Sequence, residues 1–325
     1  MARGDYDTII KNKIYIESEK EWNIELQQSD MVWYDLVVNS HEIFPLKELF
    51  IERFKKLNKQ VNDNLEKRFV YFICSRKKVR FSLSKKPRYS ITGKKLYLYL
   101  EVGRDKKPVK ITLPAPKKKS DRPKVEVTDK FITFTDNIGD KYTAPLHDFL
   151  LNNQIDIGIE TVVHYVGKTK LPERRPLNGS HSGLNNILHN ISNEENDIFI
   201  FYNLFKIMVS ANNNEFKANF IVPNSMTDEI NVEKEGDILE KSLILHFASE
   251  NQLNNLDKEL GELRNNLSLI AKEKNINKIT MRYEVDDTSE YYKFGSSAIT
   301  PKHNHTFSFS ITNGALKKEN HDSSY

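Results

Sequence analysis

Between His164 and Leu184 the chain reads HYVGKTKLPERRPLNGSHSGL. A tyrosine (Tyr165), a glycine (Gly167), a lysine (Lys168), two arginines (Arg174 and Arg175) and a histidine (His181) thus lie between the expected end of a strand and the start of a helix. Phosphodiester hydrolysis uses such residue types: it needs an activated water, a cation to offset charge growing on the phosphate oxygens, and help for the leaving oxygen. A glycine lets the backbone approach a phosphate, and a tyrosine at a strand end can direct its hydroxyl into the same space. The same residues also read as a packed aromatic, a solvated loop beside prolines and a helix cap. Residue types alone leave both readings open.

The elements that must position these residues follow from periodicity. IETVVHYVGKT reads as a strand, and GLNNILHNI puts Leu184, Ile187, Leu188 and Ile191 at helical spacing with Ser182 as N-cap. DIFIFYNLFKIMV is a strongly apolar strand and EFKANFIVP another, followed by the helix GDILEKSLILHF. On that helix Glu240 shares a stripe with Ile244 and Phe247, where an unpaired carboxylate is costly to bury. It must therefore sit at an edge in water or face cations. Leu256, Leu260, Leu263, Leu267 and Ile270 mark a one-sided helix that packs on its own domain more readily than it forms a coiled coil, while leaving a homodimer open.

Taken in order, Tyr165-Val166-Gly167, Lys168-Thr169, Arg174-Arg175 and His181-Ser182 resemble the catalytic core of the GIY-YIG nucleases, a family of homing, excision-repair and restriction endonucleases. Downstream, the aromatic strand Phe199 to Phe205 stands where the family's third strand would, and Ile238 to Ile244 resembles its glutamate-bearing helix. The resemblance implies an α+β fold with a small mixed sheet flanked by helices. It further implies that Tyr165 orients or deprotonates the water, that Arg175, with Arg174 as its fallback, contacts the scissile phosphate, and that Glu240 is the single carboxylate on a Mg²⁺ or Mn²⁺ ion. His181 would share the acid or base work and Lys168 would contact the phosphate. The sequence departs from the family in its first motif, where Glu160 stands in place of a tyrosine. The implied activity is a metal-dependent DNA endonuclease of restriction or phage-defence type; the alternative is an inactive DNA-binding protein with a nuclease-like fold.

A second feature supports nucleic acid as the partner. The net charge is +4, yet residues 76–124 hold eighteen Lys or Arg against three acids, a local +15 that leaves −11 for the rest. Such asymmetry suits a polyanion-binding module, although a solvated lysine-rich surface has the same composition. KKVRFSLSK, KKLYLYLEV and DKFITFTD alternate polar with apolar residues, so a basic antiparallel sheet is expected, with KPVKITLPAPKKKSDRPK as loop. The residues expected to grip double-stranded DNA are Lys78, Arg80, Lys85, Lys86, Arg88, Lys117, Lys118 and Lys119.

Four stretches result: an N-terminal mixed region (1–68), a separate basic β-rich DNA-binding region (69–152), a nuclease-like domain (153–275), and a C-terminal β segment with a frayed polar tail (276–325). In the first, PLKELFIERFKKLNKQ reads as an amphipathic helix, and Trp22, Trp33 and Tyr34 as core or interface. A single cysteine, Cys74, can neither form an internal disulfide nor build a zinc site. With no signal-peptide pattern and no run of about 18 apolar residues, the expected setting is cytoplasmic, away from the membrane.

Overall fold

The structure is a computed structural model and describes residues 2–38, 44–172, 187, 191, 194–285 and 290–321; the side chains of 38, 44–47, 49, 50 and 290 are outside it. The chain is α+β, and its centre is one nine-stranded mixed sheet rather than the small sheet expected. Strands β1 (Glu19–Trp33), β2 (Phe69–Lys77), β10 (Thr161–Thr169), β11 (Asn196–Asn213), β12 (Ala218–Pro223), β13 (Ile276–Glu284), β14 (Phe294–Gly295), β15 (Asn304–Thr312) and β16 (Ala315–His321) form it. Their order is β14-β10-β2-β11-β1-β13-β15-β16, with β12 on the far half of β11. Every one of the four stretches contributes a strand. The boundary at residue 69 therefore cuts the sheet: β2 pairs with β10 and β11, not with the basic strands that follow it.

Burial on both faces explains the apolar runs. Phe69 to Cys74 and Ile198 to Phe205 are buried at every position, as expected of central strands covered on two sides. Phe72 packs against Phe247 and Phe294 on one face, so its neighbour Tyr71 points to the other. Cys74, fully buried, belongs to the same β2 row as Phe72. Trp22 and Trp33 are core residues, as expected.

Helices lie against this sheet. Among them are α1 (Lys13–Glu17), α2 (Tyr34–Val38), α3 (Phe44–Asp63), α4 (Leu146–Asn152), α5 (Asn224–Thr227), α6 (Val232–Phe247) and α7 (Leu256–Lys274). The stripe expected on α3 is described at Phe54, half-buried, and Leu57, buried. Asn231 caps α6 by accepting the Lys234 N–H, and Ile238, Leu239, Leu243, Ile244 and Phe247 form its buried face. Of the stripe expected on α7, Leu263, Leu267 and Ile270 are buried where the helix packs on α6 and β13, while Leu260 is exposed. Of the helix expected around Leu184 to Ile191, only Ile187 and Ile191 are described, joined by one helical hydrogen bond of 2.9 Å.

Two small sheets complete the fold. One comprises β3 (Val79–Phe81), β4 (Arg88–Tyr89), β5 (Lys95–Val102) and β6 (Lys107–Pro114). The other comprises β7 (Lys124–Val127), β8 (Phe131–Thr135) and β9 (Lys141–Pro145). Two segments differ from expectation. Residues 107–114, expected as loop, are a strand whose prolines occupy its second and last positions, on the edge of a sheet where an N–H can be spared. Residues 315–321, expected as a frayed tail, form the charged edge strand β16. Among the described residues no helix is long and apolar enough to cross a membrane.

Candidate nucleic-acid interface

The alternation of β5 sorts its side chains. Leu96, Leu98 and Leu100 are buried, while Lys95, Tyr97, Tyr99 and Glu101 occupy the opposite face. β6 pairs with β5 along its whole length and sets Thr112 opposite Tyr97 and Lys110 opposite Tyr99; β4 sets Arg88 opposite Tyr97. The two tyrosines, partly exposed, are thereby surrounded by cations. Lys110 Nζ lies 3.7 Å from the ring centre of Tyr97, and Lys85 Nζ and the Arg88 guanidinium lie 5.7 and 6.0 Å from that of Tyr99. Arg88 Nε also donates to the Tyr99 hydroxyl at 3.1 Å. No carboxylate forms an ion pair with Lys85, Arg88 or Lys110 among the described residues. Positive charge on this face therefore remains available to an external anion.

The basic loop after β6 is a built structure. Ala115 N–H donates to the Lys94 carbonyl, and Arg122 donates to the carbonyls of Pro116 and Lys117 at 3.1 and 3.2 Å. Arg122 lies against Gly93, whose φ of +67° and missing side chain admit the guanidinium. Lys117, Lys118 and Lys119 project from this loop and are exposed, as are Lys85, Lys86 and Arg88 nearer the strands.

Arg80 is a correction. It alternates with Val79 and Phe81 as expected, but its polar face does not look outward. Arg80 lies 2.8 Å from Asp197, 3.4 Å from Asp35 and 3.9 Å from Asp129, with 15% of the side chain exposed, so three carboxylates already occupy it. Asp197 in turn lies 3.1 Å from His147 Nε2 and accepts the Val79 N–H, while His147 Nδ1 is 3.0 Å from the Tyr291 hydroxyl. Burial pushes the Asp197 carboxyl up, but the His147 hydrogen bond and the charges of His147 and Arg80 outweigh it and hold the group below its usual range. This cluster fastens the basic sheet to β11. Lys78, half-buried, lines a cleft of about 890 Å³ beside it, where Asp35, Glu101, Asp129 and Asp197 balance the cations.

Of the residues expected to hydrolyse a phosphodiester, Arg174, Arg175 and His181 lie outside the described residues. Lys168 and Glu240 come together: the Lys168 backbone N–H donates to Glu240 Oε1 at 3.0 Å, and the Lys168 ammonium pairs with Asp237, one turn earlier on α6. Burial pushes the Glu240 carboxyl up, against the charges of Lys168 and Lys241. Tyr165 is elsewhere. Its ring lies 6.0 Å from that of Tyr71, on the sheet face opposite Phe72 and α6. Gly167 serves that packing, because a Cβ there would stand 2.6 Å from the Tyr71 hydroxyl and 2.8 Å from the Tyr165 ring.

The free edge of β10 accounts for the rest of this region. β14 covers only Thr161 and Val162, and beyond them Gln252 takes over, accepting the Val166 N–H and donating to the Val166 carbonyl, both at 2.9 Å. Glu240 performs the same capping at Lys168. Comparisons with protein-family models, with curated proteins and with solved structures find no match to this chain.

The tyrosines of β5 and Lys110 were not among the residues singled out by charge. The signal for the tyrosines was present in KKLYLYLEV, where two tyrosines two apart occupy the polar phase of an alternating strand.

Proposed function

We propose that this chain is a nucleic-acid-binding protein that holds a phosphate backbone against the basic sheet β3–β6 and the loop after it. The observation that carries this reading is the outward face of β5, where Tyr97 and Tyr99 sit among Lys85, Arg88 and Lys110 with no carboxylate paired to those cations among the described residues. Phosphate contacts made by lysine and arginine release counterions, so binding weakens steeply with salt. Fluorescence anisotropy of a labelled oligonucleotide at 50 and 200 mM salt tests it. A loss of about tenfold or more is expected over that range, and a Lys85→Ala/Arg88→Ala/Lys110→Ala variant should lose both affinity and part of the salt slope. Absence of saturable binding at 50 mM would end this proposal.

A second reading is the metal-dependent endonuclease implied by the resemblance to GIY-YIG nucleases. One observation favours it: Glu240 and Asp237 converge with Lys168 beside β10. If hydrolysis occurs, Glu240 would hold a Mg²⁺ or Mn²⁺ ion and Arg175 and His181 would have to reach the same phosphate, while Tyr165, on the opposite face of the sheet, would not be the residue that activates the water. Double-stranded DNA incubated with Mg²⁺, beside EDTA, decides this reading. The informative variant is Glu240→Gln, because its amide oxygen still accepts the Lys168 N–H while the carboxylate charge is gone. Cleavage that stops with EDTA and in this variant supports the nuclease. Intact DNA in every lane leaves the binding function alone.

A further inference from the structure

The face described above also bears on which form of nucleic acid it takes, an inference that rests on the nucleic-acid-binding reading. We infer that Tyr97 and Tyr99 form a stacking platform for unpaired bases, so that the preferred ligand is single-stranded nucleic acid.

Spacing is the first argument. The two rings are two residues apart on one strand, which separates their anchor points by about 6.8 Å. Bases stacked in a duplex advance about 3.4 Å per strand, half that distance, and their faces are already covered by neighbouring bases. A duplex therefore cannot offer two successive base faces to these rings. An unstacked strand can, with one base splayed onto each tyrosine.

Charge placement is the second argument. Each ring has its own cation standing over it: Lys110 over Tyr97 at 3.7 Å, and Arg88 with Lys85 over Tyr99 at 6.0 and 5.7 Å, so a base takes the ring as the long side chain swings its charge onto the phosphate. A nucleotide laid on either ring would meet an aromatic surface and a phosphate partner together. The Arg88 hydrogen bond to the Tyr99 hydroxyl also steadies that ring before any ligand arrives.

Continuity is the third argument. Along β5 the order Tyr99, Tyr97, Lys95 leads to Lys94, whose carbonyl holds the start of the loop carrying Lys117, Lys118 and Lys119. A basic track thus continues past the tyrosines in one direction. An acidic protein segment could neutralise these cations, but it would have no use for two aromatic faces at this separation.

The test is anisotropy at 50 mM salt with four labelled probes: a 12-nucleotide oligothymidine, the same length as duplex, an abasic strand of that length, and polyglutamate. The wild-type chain is compared with Tyr97→Ala/Tyr99→Ala and Tyr97→Phe/Tyr99→Phe. The wild type should bind oligothymidine at least about tenfold more tightly than either duplex or abasic strand, the alanine variant should lose that advantage, and the phenylalanine variant should keep it. Equal binding of all three nucleic acids, unchanged in the alanine variant, would overturn the stacking platform while leaving the basic surface intact. Binding of polyglutamate alone, or of nothing, would overturn both. Thermal unfolding of each variant shows whether a lost signal reflects a lost fold, and the phenylalanine variant retains the ring in any case.

Discussion

Arg80 and Arg88 stand eight residues apart in the same basic stretch and have opposite fates. Arg80 shares its guanidinium among three carboxylates, one of them almost wholly buried; the Arg88 guanidinium lies on Tyr99 and, among the described residues, meets no carboxylate. Removing one partner of a buried pair strands the other charge, so Arg80→Ala should cost about 3 kcal/mol in urea unfolding. Arg88→Ala should leave stability within about 0.5 kcal/mol and weaken oligonucleotide binding instead. Equal stability losses would mean that Arg80 is not the clamp described. Titration is a second matter for single residues. His305 Nε2 donates to the Phe294 carbonyl, so its Nδ1 is the acceptor at 3.1 Å for His246 Nε2–H, and both rings are neutral. Burial lowers His246 to about 2 and His305 and His164 to about 4. The unfolded chain takes up these protons below about pH 6.5 and the folded chain does not, so stability falls with pH. Glu66 acts in the opposite sense, since burial and the nearby Glu235 push it up to about 8 and it holds a proton in the fold. Buried His147, also lowered, adds to this loss and Glu240, also raised by burial, offsets it, so the three histidines against Glu66 leave a net loss of about 2 kcal/mol between pH 6 and pH 5. Urea titrations at these two values check it, and equal midpoints would refute it.

Elements show where periodicity could be read and where it was hidden. β5, β8, α6 and α7 were legible because one face of each is apolar and the other polar, at period two or near 3.6. β1 was not. Its alternation through Trp22 and Ile24 breaks at an irregularity between Leu26 and Gln28, and the polar QQSD follows. β6 was hidden by its prolines and β16 by its charges, both features of edge strands rather than of loops. The site was partly legible for the same reason. Charge density located the basic sheet, but the position of Arg80 on its inward side depends on Asp35, Asp129 and Asp197, distant or unrelated in sequence until the sheets meet. Glu240 posed the reverse difficulty: the sequence demanded a partner for it, and the partner is the backbone of β10. The edge of β10 also yields a prediction. Gln252→Ala removes two hydrogen bonds to Val166 and should cost about 2 kcal/mol in urea unfolding. No change would mean that water replaces the amide at that edge.

At the scale of the molecule, the central sheet joins stretches that composition had separated. β1 from the N-terminal region lies between β11 and β13, so strands more than 160 residues apart in sequence are immediate neighbours. The basic sheet leaves this body through a single residue, Lys78, between β2 and β3. Circular dichroism and tryptophan fluorescence should accordingly follow one shared urea transition, because Trp22 and Trp33 sit within the sheet that all four stretches build. Two separated transitions would argue for an independently folding unit. The same construction gives the chain an internal clock. Cys74 is the sole thiol, fully buried on a central strand, and burial keeps it protonated despite Arg76 nearby. A thiol reagent can reach it only when the elements packed on that face of the sheet lift away, so the labelling rate reports how often the heart of the molecule opens.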